Sequence, residues 1–290
     1  FKEGILKPIA KHFDVQPMVP DMDQWDNLVK HIVQPKYEMT VAFVGKYLEL
    51  KEAYKSLIES LTHSGAHLNT HVHVHWCDSE MIDKKGAKEI IGNSDCVLVA
   101  GGFGHRGIEG KIKAIQFARE QRIPYLGICL GMQLSIIEYL RNVINIPQAT
   151  SVEFDTNASE PAIYLIEHFL DTNGDTQMRT HTSPMGGTMR LGSYPFHTKP
   201  DSQLATAYGT QGIERHRHRY EANPVYRSTL EEHGMVVTGE SNGLIEVVEI
   251  PDHPWFVGVQ FHPEFTSSLQ TPNPIILKFI EAGLHYHQNG

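Results

Sequence analysis

The chain has 290 residues, with 25 Lys and Arg against 34 Asp and Glu for a formal charge of −9, and 40% of it is hydrophobic. A chain of this size and composition can bury about 75% of the surface its unfolded form exposes, which excludes extensive disorder. The negative balance argues against nucleic-acid or membrane partners, no run reaches the roughly 18 apolar residues that span a bilayer, and no secretory signal opens the chain, so a cytoplasmic protein is expected. Cys77, Cys96 and Cys129 are too few and too far apart for a disulfide framework or a C-x-x-C metal knuckle, and free thiols fit a reducing compartment.

In chain order, residues 1–38 show two helical spacings, Ile5, Ile9 and Phe13 in one and Trp25, Leu28, Val29 and Ile32 in the other, joined across Pro17 and Pro20. This segment reads as a linker or the tail of another domain ahead of a main domain over 39–290, and the start at Phe1 fits a fragment or a processed product. The run 41–45 is almost wholly apolar, as in strands covered on both faces. A helix is predicted over 52–63, strands over 71–76 and 97–100, a helix over 112–122, a strand over 125–129 and a helix over 132–140. Strands alternating with helices predict an α/β fold with a central, mostly parallel sheet flanked by helices. The second half changes style. Residues 171–187 read as a long loop, strands are predicted over 189–196, 204–208, 244–250 and 255–261 as an added antiparallel portion, and a last helix over 274–285.

The sharpest local signal is Gly127-Ile128-Cys129-Leu130-Gly131, an apolar strand running into a glycine-flanked cysteine and then a helix. It reads as a nucleophile elbow, whose tight turn leaves no room for side chains two residues either side of the nucleophile. The helix N-terminus behind the cysteine favours the thiolate, the reactive form. The bland alternative, a buried cysteine acting as a small hydrophobe, does not explain the paired glycines.

A cysteine nucleophile needs a base, and with 18 histidines in the chain the setting must choose it. His262-Pro263-Glu264 is the best setting. Proline favours an extended residue before it, which puts 262 and 264 on one side, so Glu264 can orient the imidazole and stabilise its charged form. Gly101-Gly102-Phe103-Gly104 follows a predicted strand and can turn backbone amides inward. The amides of Gly102 and Leu130 are the candidate oxyanion donors.

Other patterns are weaker. Gly102-x-Gly104-x-x-Gly107 matches a dinucleotide fingerprint but follows the third strand, and the next strand ends in cysteine where a ribose-binding acid is needed. Gly110-Lys111 is followed by Ile112, which excludes a phosphate loop. His71, His73 and His75 with Cys77 share a strand face and could be zinc ligands or the polar face of an edge strand, and no metal site is expected. The run Arg215-His216-Arg217-His218-Arg219 places three arginines on one face, either a surface strand or a carboxylate dock.

These residues together resemble the class I glutamine amidotransferases. Within that family, Gly-Gly-Phe-Gly-His-Arg-Gly (101–107), Gly-Ile-Cys-Leu-Gly-Met-Gln (127–133), Gly-Gly-Thr-Met-Arg-Leu-Gly (186–192), Arg-His-Arg-His-Arg-Tyr-Glu (215–221) and His-Pro-Trp-Phe…Gln-Phe-His-Pro-Glu-Phe (253–265) are similar to the glutaminase domains of the CTP synthase family, over about residues 40–285. The resemblance implies a flavodoxin-like fold, a catalytic triad of Cys129, His262 and Glu264, and a thioester intermediate. It implies a glutamine site formed by Gly102, Leu130, Gly131, Met132, Gln133, Glu153 and Arg219, with Glu153 on the substrate ammonium. Thr150 stands where the family usually has Asn. The resemblance further implies no cofactor in this chain. ATP, Mg2+ and UTP would belong to an amidoligase domain that the chain lacks, and GTP would be an activator. Two rival readings are a Cys-His peptidase or γ-glutamyl hydrolase on the same scaffold, which would need a more open cleft, and a degenerate regulatory module, against which the intact Cys129, His262 and Glu264 argue.

Overall fold

The computed structural model describes residues 4–16, 21–46, 48, 51–166, 168–170, 176–178 and 189–289. Helices α1 (Leu6–His12) and α2 (Asp23–Val33) come first; α2 buries Leu28, and its His31 Nδ1 donates to the Ala66 carbonyl at 2.8 Å. Strand β1 (Tyr37–Gly45) is followed by a 3-10 turn over Lys51–Tyr54, α3 (Lys55–His67), β2 (Thr70–Asp78), α4 (Ser79–Lys85) and α5 (Ala87–Ile91). Then come β3 (Cys96–Val99), α6 (Ile108–Glu120), β4 (Tyr125–Ile128) and α7 (Leu130–Asn142).

The second half contains β5 (Ala149–Ser151), β6 (Glu160–Leu165), β7 (His168–Leu170), β8 (Thr176–Met178), β9 (Arg190–Thr198), α8 (Gln203–Tyr208), β10 (Gln211–His218) and β11 (Tyr220–Ala222). It closes with α9 (Arg227–Glu232), β12 (Val236–Ser241), β13 (Leu244–Glu249), β14 (Phe256–Val259) and α10 (Pro274–Asn289).

Among the described residues the main sheet has nine strands in the order β10-β9-β12-β13-β14-β4-β3-β1-β2. Neighbours from β14 to β2 pair in parallel, in the flavodoxin-like strand order, and those from β10 to β14 pair antiparallel. The added antiparallel portion therefore continues the same sheet. The apolar run in β1 follows from burial on both faces. Ala42 and Val44 join the core under α6 and α7, while Val41 and Phe43 join the opposite core with Phe279 and Ile280 of α10.

One strand prediction fails: residues 204–208 form the helix α8, not a strand. Ser202 caps it by accepting the Ala205 N–H at 3.0 Å, and the Glu249 carboxylate accepts the N–H groups of Gln203 and Leu204 at 2.9 and 2.8 Å, satisfying donors that a helix start leaves open. Helix α6 begins at Ile108, ahead of the predicted 112, because Gly107 supplies a left-handed turn at φ 72°. The predicted loop 171–187 lies outside the described residues except for β8, which pairs antiparallel with β7. His71, His73 and His75 lie exposed along the edge strand β2, and His73 Nε2 meets Glu38 Oε2 at 3.0 Å. Among the described residues no group of three or more His, Cys, Asp or Glu is placed to hold a metal, and no helix is long and apolar enough to cross a membrane.

Candidate active site

Three adjacent parallel strands, β3, β4 and β14, end side by side, and each delivers one piece of the site: Gly101 after β3, Cys129 after β4 and His262 after β14. Cys129 sits at φ 54° and ψ −104°, a conformation that costs a non-glycine residue energy and turns its side chain out of the strand direction. Its N–H donates to the Val259 carbonyl at 2.7 Å, which holds the turn against β14. The flanking glycines are required by space. A Cβ on Gly131 would stand 2.2 Å from the Val99 carbonyl oxygen, and one on Gly127 would stand 2.7 Å from the Gly131 carbonyl carbon.

His262 Nδ1 donates to Glu264 Oε1 at 2.8 Å, which leaves Nε2 for the Cys129 side. The local geometry differs from the extended segment predicted. Pro263–Phe265 is a 3-10 turn, and it is this turn that swings Glu264 back onto the ring. Burial alone would push the His262 pKa down, but the Cys129 sulfur, and then Glu264, outweigh it and raise it to about 10. The sulfur and the carboxylate thus both favour the protonated form of the imidazole.

The loop after β3 is fixed from three sides. Glu153 Oε1 accepts the Gly104 N–H at 2.7 Å, Lys46 Nζ donates to the Phe103 carbonyl, and Lys111 Nζ donates to the Ala100 carbonyl at 2.7 Å. Burial pushes the Glu153 carboxyl up, opposed by the Gly104 amide and by the charges of Lys46 and Arg219. The Lys111 ammonium is wholly buried, and burial, with Lys46 second, lowers its pKa to about 7. Lys46 carries no signal in the sequence, and Lys111 enters it only in the Gly110-Lys111 pattern that fails as a phosphate loop.

A cavity of about 480 Å³ is bordered by Gly101, Gly102, Cys129, His262 and Glu264, with Lys46, Tyr54, Phe103 and Arg217 on its other walls. Leu130, Gly131, Met132 and Gln133 form the buried first turn of α7 behind Cys129. Gln133 donates from Nε2 to the Tyr220 carbonyl at 2.8 Å and to Gln260 Oε1 at 3.0 Å. Arg219 is not on the arginine face of β10: that strand ends at His218, and Arg219 sits at a bend facing Glu153, while Arg215 and Arg217 stay exposed on the strand. Glu153, Gln133 and Arg219 do not border the cavity itself. A second cavity, about 540 Å³ and bordered by Lys88, Ser94, Asp95 and His287, lies at the opposite end of β3 from the cysteine.

The model of the class I glutamine amidotransferase family matches residues 49–282. The chain belongs to this family. It is similar to the glutaminase domain of Trypanosoma brucei CTPS, solved with bound acivicin, at 33% identity and a TM-score of 0.76, covering 84% of this chain and 93% of that one. Among curated proteins it is 63% identical over 289 residues to the CTP synthase of Sulfurimonas denitrificans, covering 99% of this chain and 53% of that protein. It is 53% identical over 290 residues to the CTP synthase of Campylobacter jejuni, again covering 99% of this chain and 53% of the relative. The chain thus spans about half the length of the curated relatives it matches.

Proposed function

We propose that the chain hydrolyses L-glutamine to glutamate and ammonia through Cys129, His262 and Glu264. The observation that carries this is the strained cysteine at the end of β4 with a carboxylate-paired imidazole beside it. In this reading the Cys129 thiolate attacks the side-chain amide carbon, and the backbone amides of Gly102 and Leu130 receive the developing oxyanion. His262 passes its proton to the departing ammonia, leaving a thioester. It then takes a proton from the water that releases glutamate, with Glu264 keeping the ring oriented through both steps. Glu153 binds the substrate ammonium, and Arg219 contacts the bound amino acid. Opposite charges facing each other there suit a free amino acid better than a peptide.

The ammonia serves, in the same proposal, an ATP-dependent amination of UTP to CTP by an amidoligase region present in the longer relatives, with Mg2+ acting in that region and GTP as an activator. The test is ammonia release from glutamine by the purified chain, together with labelling by a glutamine-mimicking electrophile. A covalent adduct at Cys129 and loss of turnover in Cys129→Ala are expected; turnover that survives Cys129→Ala would sink the triad. Formation of CTP from ammonia by this chain alone would overturn the assignment of amination to the other region.

A further inference from the structure

Gln260 lies two residues before His262, just past the end of β14, and is wholly buried. Its side chain spans the space between two residues of the elbow. Nε2 donates to Cys129 Sγ at 3.7 Å, within reach for a sulfur acceptor, and Oε1 accepts from Gln133 Nε2 at 3.0 Å. A carboxamide can face a sulfur with either end, so what matters is what fixes its polarity. Gln133 Nε2 also faces the Tyr220 carbonyl at 2.8 Å, and a carbonyl oxygen can only accept. That contact fixes Gln133 with its NH2 group towards Gln260, which must then present its oxygen to Gln133 and its own NH2 to the sulfur.

We infer that Gln260 is a further catalytic residue of the proposed glutaminase, donating a hydrogen bond to the Cys129 thiolate, and that Gln133 is the positioning residue that sets its direction. A donor at that place stabilises the sulfur anion more than the thiol, because hydrogen bonds to charged acceptors are the stronger ones. His262 gives up its proton during turnover; the carboxamide does not titrate, so its donor is present at every stage. The chain of contacts also gives β11 a part in the chemistry, since the Tyr220 carbonyl at its start sets the polarity of both glutamines.

The inference rests on the glutaminase reading, so its test uses thiol chemistry that needs no glutamine. The rate of Cys129 alkylation by iodoacetamide is followed against pH in the wild-type chain and in Gln260→Leu, Gln260→Asn and Gln133→Leu, with Cys129→Ala as the background for the buried Cys77 and Cys96. The charged groups facing the sulfur, His262 after β14 and Lys111 on α6, are present in every variant compared with the wild type. Loss of one charge-assisted hydrogen bond should lower the alkylation rate at pH 7 by about tenfold in Gln260→Leu, with the midpoint of the profile moving to higher pH. Gln260→Asn withdraws the amide by one carbon and should show the same direction of change; Gln133→Leu frees the Gln260 carboxamide to turn and should show a smaller one. A merely space-filling Gln260 would leave the pH profile where it is. Wild-type rates and midpoint in Gln260→Asn, with native near-UV circular dichroism, would overturn the inference even if the leucine variant failed to fold. A shifted profile in a chain that never releases ammonia would keep the Gln260 hydrogen bond to the sulfur and overturn the glutaminase reading, and with it the catalytic role.

Discussion

The carboxylate of Glu153 accepts the backbone N–H of Gly104 at 2.7 Å, so a residue beyond β5 holds the loop that follows β3. Glu153 therefore has two tasks in the proposed reaction, binding the substrate ammonium and anchoring the loop that carries Gly102. The two can be separated. Glu153→Gln keeps an acceptor oxygen for Gly104 and loses the charge, so KM for glutamine should rise about tenfold or more while kcat holds within a few-fold. Glu153→Ala also releases the loop, and kcat should fall with it. Equal kcat in the two variants would separate Glu153 from the loop.

Glu264 should act on stability as well as on rate. The His262 pKa is raised from 6.5 to about 10, so the charged ring contributes stability that is fully present below about pH 6.5 and is lost as pH rises through 10. Glu264→Gln removes one of the groups that raise it. Its stability deficit against the wild type should be about 1.5–3 kcal/mol near pH 6, the range of a hydrogen bond to a charged group, and should vanish above pH 10. Urea unfolding across that window checks it; a deficit that grew with pH would contradict the sign.

Much of this arrangement is legible in the sequence because it is local. Gly127 and Gly131 bracket the nucleophile within one turn, and His262 and Glu264 lie two residues apart. What escapes reading is set by distant partners. Residues 204–208 have a strand's composition, and the helix is secured by Glu249, whose carboxylate meets N–H groups 45 and 46 residues earlier. Gln260 reads as one more strand residue until Gln133 and Tyr220, far apart in the chain, are brought to it. Lys111 enters the sequence reading only through a phosphate-loop pattern that fails, and nothing in its own helix announces that it will donate to the Ala100 carbonyl.

The elbow glycines should tolerate no methyl. On Gly131 the clash is with a main-chain oxygen at 2.2 Å, which no side-chain rotation relieves. Gly131→Ala should cost at least about 1–3 kcal/mol by overpacking, and it should also depress labelling of Cys129, because the shift is absorbed in the turn that presents the sulfur. Wild-type stability together with wild-type labelling would show that the elbow has slack.

Lys111 makes the opposite kind of prediction. Its pKa falls from 10.5 to about 7, so the unfolded chain binds the proton more tightly than the folded one. The buried ammonium therefore weakens the fold below pH 7, and the penalty fades as pH rises from 7 to 10.5. Lys111→Met keeps the stem and removes the charge. It should stabilise the chain at pH 6 by at least about 1 kcal/mol, roughly 2–4 °C in Tm for a domain of this size, with the gain shrinking by pH 10. A destabilised variant at pH 6 would mean that the hydrogen bond to Ala100 outweighs the desolvation.

One route from the antiparallel half to the site runs through Arg190. Its guanidinium is 1% exposed, 2.6 Å from Glu246 and 3.6 Å from Glu221, and lies over the Tyr194 ring at 4.3 Å. Glu221 also accepts from His218 at 2.7 Å and belongs to β11, next to the Tyr220 carbonyl that orients Gln133. Removing the cation alone leaves two buried carboxylates facing each other, so Arg190→Met should cost about 3–5 kcal/mol. Adding Glu246→Leu removes one of those charges and should recover part of that loss, because a buried ion pair can be replaced by packed apolar groups far more cheaply than it can be broken. Activity should not follow stability in this cycle. The double variant still lacks the tie between β9 and Glu221, so Tyr220 is less well held, and Cys129 alkylation should stay slow after the fold has recovered. Alkylation that recovers in step with unfolding free energy would confine the Arg190 cluster to holding the sheet together.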